Sequence, residues 1–320
     1  MKKLNLYTFH RGISPDRFDA HNTKQLLDVL QGAYEIEWHN LNGGDRFMYH
    51  DVLIDHGSIV IVEFKDTGKF RVYDFGDNLR LTAKLSRSPL FDGAAIGQYN
   101  TALWDELIQD PVLRSKVKAG PYPESCWELG VNNYSNFQEY RRHVELDTRL
   151  YWRGSLYSSN VPAEYLGVRR AVEFLPSILT TAEFYFGHYP IPFEHYLQEA
   201  INFKLALSIG GGGGYICGDF CLRDIEMYGL GIPTIRPIYA VTPVRPLIPN
   251  EHYIAVEAEF DNEFRYKNPE LLAQRIAQRY REVINDDKYL QHVANNAKKW
   301  YIDNITSPTI TNSLLSALDL

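Results

Sequence analysis

Three cysteines in 320 residues, Cys126, Cys217 and Cys221, are too few and too odd in number for a disulfide scaffold. Cys217 and Cys221 also lack the second ligand pair that a structural zinc site needs, so a reducing compartment is expected. Long apolar runs are missing as well. None approaches the about 18 residues required to span a bilayer. The opening MKKLNLYTFHRG turns polar at Asn5, His10 and Arg11, before any signal-peptide core can form. The expectation is a cytoplasmic chain with no membrane span. Positive charge is in deficit: 33 Lys and Arg face 40 Asp and Glu, a net of −7. That balance speaks against non-specific binding to nucleic acid or anionic membrane, while leaving room for a local basic cleft. There is no GxxxxGK[ST] loop for a nucleoside triphosphate. Nor does a glycine fingerprint follow the first strand with an acidic residue about 20 positions on, as an NAD-binding Rossmann domain requires.

What the sequence does have is length for about two domains of roughly 150 residues, and a 45% hydrophobic content that can fill two cores. Aromatic residues reach 13%, with 22 Tyr, 16 Phe and 5 Trp. Rings in such number line sugar or planar ligands in some proteins and fill cores in others.

Strand and helix patterns alternate twice. KLNLYTF, YEIEW, HDVLIDHGSIVIVEF and FRVYDFGD read as strands, and Ser14-Pro15-Asp16 opens a helix pattern that ends at Gly32. Near residue 150 the pattern restarts with LYWRGSLYS, a helix over 163–179, a helix over 193–202, and the strand FKLALSI running into Gly210–Gly214. LRDIEMYGLG reads as a helix, IPTIRPI and HYIAVEA as strands. The stretch from Asn268-Pro269 onward is strongly helical, with a break at Asn285-Asp286. The expected organisation is α/β, with one unit on each side of about residue 150.

Chemistry concentrates between Lys204 and Tyr253. Five glycines after an apolar strand let the backbone approach a ligand closely. Arg223 and Glu226 share one helical face just ahead of Gly229-Leu230-Gly231-Ile232-Pro233. An arginine grips a diphosphate through several donors, and a carboxylate accepts from paired sugar hydroxyls.

The order R-D-I-E-x-x-G-x-G-I-P-x-I over 223–235 resembles the C-terminal half of GT-B glycosyltransferases. Pro249-Asn250-Glu251-His252-Tyr253 and Arg153-Gly154 are similar to the protein O-glucosyltransferase and capsule-associated group, glycosyltransferase family 90. The resemblance covers about residues 150–305. It implies two Rossmann-like domains facing a cleft: 1–150 for the acceptor, 151–305 for the nucleotide sugar, and 306–320 as a helix returning to the first domain. It also implies that Glu226 holds ribose or sugar hydroxyls and that Arg153 and Arg223 neutralise the donor diphosphate. Gly154 and the run through Gly211, Gly212 and Gly213 would then admit the donor. No metal and no separate cofactor are implied, and the sequence agrees in having no Asp-x-Asp, the cation motif of the other main glycosyltransferase fold.

An inverting transfer needs a base near the acceptor hydroxyl. Asp92 in LFDGAAIG stands first, because small residues around it leave room for a substrate, and His10 in FHRG second. Asp55, His56, Asp74 and Asp77 are further candidates, and a retaining enzyme needs none of them. The expected partners are a nucleotide sugar and a hydroxyl acceptor. That acceptor is a glycan or, with Arg141, Arg142, Arg149, Arg153, Arg169 and Arg170 as a basic strip, a hydroxymethylated DNA base. A non-catalytic sugar- or nucleotide-binding module is the alternative from another class.

Overall fold

A computed structural model describes residues 2–9, 27, 30–41, 47–54, 59–74, 79–97, 99–121, 140–154, 156, 167–187, 191–209, 220–261, 266–305 and 307–320. The chain divides into two compact units, one of residues 1–128, 241–246 and 304–320, the other of 129–240 and 247–303.

The first unit is built on a six-stranded sheet. Its strands are β1 (Lys2–Thr8), β2 (Tyr34–Asn40), β5 (Ile59–Phe64), β6 (Phe70–Asp74), β7 (Phe91–Ile96) and β8 (Val117–Ala119), in the order β2-β1-β5-β6-β7-β8. A small hairpin, β3 (Phe47–Tyr49) with β4 (Val52–Ile54), precedes β5. β5 pairs antiparallel with both neighbours, while the remaining pairs are parallel. Strict alternation in β1 sends Leu4, Leu6 and Thr8 inward. In β5 four consecutive residues, Ile59 to Val62, are buried, as a central strand covered on both faces requires. Three short helices, α1 (Leu79–Leu85), α2 (Thr101–Leu107) and α3 (Pro111–Ser115), connect the later strands. Asn100 and Asp110 cap the second and third through side-chain bonds to Leu103 N (3.0 Å) and Val112 N (2.8 Å).

The C-terminal helix, Ser307–Ala317, belongs to this first unit. Leu314 and Leu318 pack with Leu4, Leu6, Val60, Val62 and Tyr73. Arg71 donates to the carbonyls of Leu318 and Asp319, and Lys118 pairs with Asp319 at 2.7 Å. The return of the chain to its first sheet is thus fixed by apolar burial and by cations at the helix's carboxyl end, where the dipole favours them.

The second unit is a parallel sheet of five strands, β9 (Asp147–Arg153), β10 (Phe184–Gly187), β11 (Phe203–Leu207), β12 (Thr234–Pro237) and β13 (Ile254–Val256), ordered β10-β9-β11-β12-β13. Helices α4 (Gly167–Ile178), α5 (Phe193–Ala200), α6 (Leu222–Leu230), α7 (Pro269–Val283) and α8 (Asp287–Ile305) accompany it. The strands feed two cores, with an irregularity in β11 between Phe203 and Leu205. Leu150, Trp152, Leu205, Leu207 and Ile235 face the α4 and α7 side, and Tyr151, Phe203 and Ala206 face α5 and α6. In α7 the buried residues Leu272, Ala273, Ile276, Ala277, Tyr280 and Val283 recur with helical period. The domain break expected near residue 150 falls inside β9, which starts at Asp147, and residues 129–150 already belong to the second unit. Among the described residues, no helix is long and apolar enough to cross a membrane.

Candidate functional site

Numbered within the second unit, its strand order is 2-1-3-4-5. The chain leaves β9 for β10 on one side and crosses back to β11 on the other. In such a sheet the ligand crevice opens where the order reverses, outside the carboxyl ends of the two diverging strands. Here these are β9, ending at Arg153-Gly154, and β11, ending at Leu207 and continuing through buried Ser208 and Ile209. The next described residues are Phe220 and Cys221, which lead into α6. Gly211, Gly212 and Gly213 lie outside the described residues, on the connection between the end of β11 and the start of α6.

The amino terminus of α6 is set by its own sequence. Cys221 Nα–H donates to Asp224 Oδ2 at 3.0 Å, a reciprocal cap. The other end closes at Gly231, whose φ of 67° is the left-handed conformation glycine takes at a helix C-terminus. Asp224 is anchored from below by Arg236 on β12. The two form an ion pair with both side chains out of solvent, and the guanidinium lies over the Tyr239 ring.

Arg223 is thereby released to face the strand ends. Its guanidinium donates to the carbonyl of Arg153, and its Nε donates to Tyr196 Oη at 3.3 Å. It also lies 5.5 Å from the Trp152 ring centroid. Glu226 stands one turn further along α6, 6% exposed, and accepts from the Tyr196 hydroxyl. Burial raises its pKa to about 7, although the charge of Arg223 and the Tyr196 bond both pull the other way. Arg223, Tyr196 and Glu226 form one connected polar group under the carboxyl edge of the sheet.

Arg153 belongs to the same edge but is already engaged. Its guanidinium meets Glu199 of α5 at 2.6 and 2.7 Å, and Tyr185 Oη at 3.0 Å. Burial disfavours the charged Glu199, but Arg153 and the two tyrosines Tyr185 and Tyr151 outweigh it and keep the carboxyl below its usual range. Two glycines make room for this arrangement. A Cβ on Gly187 would come within 2.6 Å of the Arg153 guanidinium carbon, and one on Gly154 within 3.1 Å of an Arg223 nitrogen. Tyr185, Gly187, Tyr196 and Glu199 were missed as polar participants. Tyr185, Gly187 and Tyr196 fall in the aromatic run EFYFGHYPIPFEHY and Glu199 lies three residues beyond it, and the run gives no hint that two of its tyrosines lie beside arginines.

The remaining expectations fall elsewhere. Asp92 lies at the amino end of β7, not at its carboxyl end, and receives two bonds from Arg71 at 2.8 and 2.9 Å, with Lys69 at 3.6 Å. Burial opposes its ionisation, yet the Arg71 bond and the charges of Arg71, Lys69 and Lys116 hold its pKa below the ordinary value. A proton acceptor working near neutrality needs the opposite shift. Asp74, at the carboxyl end of β6, is buried and accepts from Thr82 Oγ1 at 2.6 Å. His10, Asp55, His56 and Asp77 lie outside the described residues. The segment Pro249–Tyr253 forms a turn entering β13, at the sheet's amino edge. Asn250 takes a φ of 63° there, and its Oδ1 accepts from Ala255, Arg279 and Tyr289. The expected basic strip is divided: Arg149 pairs with Asp147, Arg153 with Glu199, and Arg141 donates to the carbonyls of Ile201 and Phe203.

No protein-family model matches the chain, and no curated protein matches it in sequence. Among solved structures it is similar to HepE of Anabaena in complex with UDP, at 12% identity over 95% of this chain and 77% of that one, TM-score 0.44. It is similar to a glycosyltransferase of Rickettsia africae, at 10% identity over 100% and 98% of the two chains, TM-score 0.48. TarM is similar at 11% identity over 86% and 68%, with a TM-score of 0.35.

Proposed function

We propose that the chain is a glycosyltransferase that binds a nucleotide sugar at the carboxyl edge of the second unit's sheet and passes the sugar to a hydroxyl acceptor. The observation that carries this is the convergence of Arg153-Gly154, Arg223 and Glu226 at the point where the strand order reverses between β9 and β11. That crevice is where a doubly wound sheet receives ligands. The resemblance of residues 223–235 to the GT-B donor motif falls on the helix that borders it.

The chemistry suits a diphosphate linked to a polyol. The amino terminus of α6 offers backbone N–H groups and the positive end of a helix dipole. Among the described residues Arg223 donates to neutral oxygens, a carbonyl and a phenol, for which an incoming phosphate competes well. In this reading Arg223 and the helix terminus carry the diphosphate charge without a metal ion. Arg153, with its charge met by Glu199, positions the β9 end beneath them. Glu226 accepts from vicinal hydroxyls, whose bonds favour its ionised form.

Among acceptors a glycan is favoured over DNA, because the arginines of the expected basic strip are largely taken up by bonds inside the second unit. UDP and UDP-glucose, the compounds in complex with HepE of Anabaena, are natural first probes. A thermal-shift series with UDP-, GDP- and CDP-sugars beside NAD tests the reading. At least one nucleotide sugar should stabilise the protein and be consumed when an acceptor is supplied. Stabilisation by NAD alone would refute it, and binding without turnover would leave a binding module.

A further inference from the structure

The opposite edge of the same sheet carries a second concavity. Its volume is about 530 Å³, within the range of small-molecule sites. It is framed by the segment leading into β9, by the amino ends of β9 and β11, by the turn before β12, and by one face of α8. Among the described residues four cations line it, Arg141, Arg142, Lys204 and Lys298, against two carboxylates, Glu145 and Asp287.

These charges are not equally occupied. Lys204 pairs with Asp287 and donates to the Ile284 carbonyl at 2.7 Å. Arg141 is tied to the carbonyls of Ile201 and Phe203 at 3.0 and 2.8 Å, and burial lowers its pKa to about 10. Arg142 and Lys298 face the cavity as like charges. Burial, and then the charge of Arg142, depress the Lys298 pKa. Two cations on one concave surface, Arg142 exposed and Lys298 half-buried, repel each other, and an anion between them turns that repulsion into attraction on both sides. Gln291 and Asn295, bonded to each other at 2.8 Å on the same face of α8, add amide groups for a polar ligand body.

We propose that this amino-edge cavity is an anion site for a small phosphorylated molecule, with Arg142 and Lys298 as its charge partners. It is separate from the candidate donor site, sharing no lining residue with Arg153, Arg223 or Glu226. A phosphate group is the chemistry that fits, because a dianion can answer two cations at once. The volume suits a small molecule.

The test is calorimetric titration with inorganic pyrophosphate at constant ionic strength, on the wild type, on Arg223→Gln, and on Arg223→Gln with the double substitution Arg142→Gln/Lys298→Gln added. Arg223→Gln, which removes the donor site's grip on a diphosphate, should still bind pyrophosphate, and adding the double substitution to that background should weaken binding at least about tenfold. Arg142→Lys/Lys298→Arg should recover most of the loss, which a merely misfolded double variant would not. The proposal is overturned if adding the double substitution to Arg223→Gln leaves the affinity unchanged. It is equally overturned if Arg223→Gln alone abolishes binding, which would place the pyrophosphate at the donor site. Binding of a short DNA duplex without any binding of pyrophosphate would overturn it too.

Discussion

Two carboxylates, Asp92 in the first unit and Glu226 in the second, sit in opposite electrostatic settings. Asp92 lies at the amino end of its strand among Arg71, Lys69 and Lys116, and its proton affinity is lowered. Glu226 lies in the second turn of a helix that starts at the carboxyl edge, and burial raises its pKa to about 7 despite Arg223 beside it. The difference follows from topology. In the second unit all five strands run the same way, so every strand end and the start of α6 meet at one edge. There they exclude water from a polar group. Asp92 is at the amino end of its strand, held chiefly by Arg71, which also donates to the carbonyls of Leu318 and Asp319. Perturbation toward a neutral carboxyl marks a functional candidate; a surface ion pair marks a fastening.

The largest effect on this contrast should come from the pair beneath α6. Arg236→Met leaves Asp224 buried without its counter-charge, and the loss should be about 3–5 kcal/mol in denaturant unfolding. A loss below about 1 kcal/mol would mean that Asp224 finds solvent and that α6 is not anchored as described.

Glu226→Gln should show a pH-dependent gain. The folded pKa of about 7 exceeds the ordinary 4.5, so between these values the folded protein keeps a proton that the unfolded chain releases. Wild-type stability therefore falls as pH rises from 4.5 to 7 and is flat above. The variant lacks this penalty. The two should unfold alike near pH 4.5, and the variant should be more stable by up to about 3 kcal/mol at pH 8. A gap independent of pH would contradict the assignment. The same ionisation should appear in donor binding. Affinity should fall about tenfold per pH unit below 7 and level off above it, if hydroxyl donors bond the charged carboxylate.

Gly187→Ala tests the fastening of Arg153. A Cβ only 2.6 Å from the guanidinium carbon forces it away from Glu199, at about 1–2 kcal/mol. Thermal unfolding should report the loss, and an unchanged midpoint would mean that β10 yields instead. Asp92→Asn should be the mildest change. It breaks a partly exposed pair worth about 1 kcal/mol or less and should leave donor binding untouched. Lost transfer activity with intact stability would restore Asp92 as a catalytic candidate.

Local signals in the sequence were the readable part. Asn268-Pro269 marks the start of α7, and Asn285-Asp286 the gap before α8, because proline and capping residues act within a few positions. The neighbourhood of Arg223 and Glu226 was legible for the same reason, since both lie on one helix. What could not be read depends on contacts distant in the chain. The antiparallel β5 has the same apolar composition as a parallel core strand. Arg153 and Glu199 are 46 residues apart and meet only once β9 and α5 are packed. The small residues that follow Asp92, namely Gly93, Ala94 and Ala95, are buried in the sheet and open no space for a substrate.

The most direct test of the donor site is calorimetric titration of UDP-glucose at pH 8 into wild type and Arg223→Gln, with unfolding of both measured alongside. The donor-site account predicts saturable binding to the wild type and a loss of about tenfold or more in the variant, at closely similar stability. Equal affinity in the two proteins would contradict it.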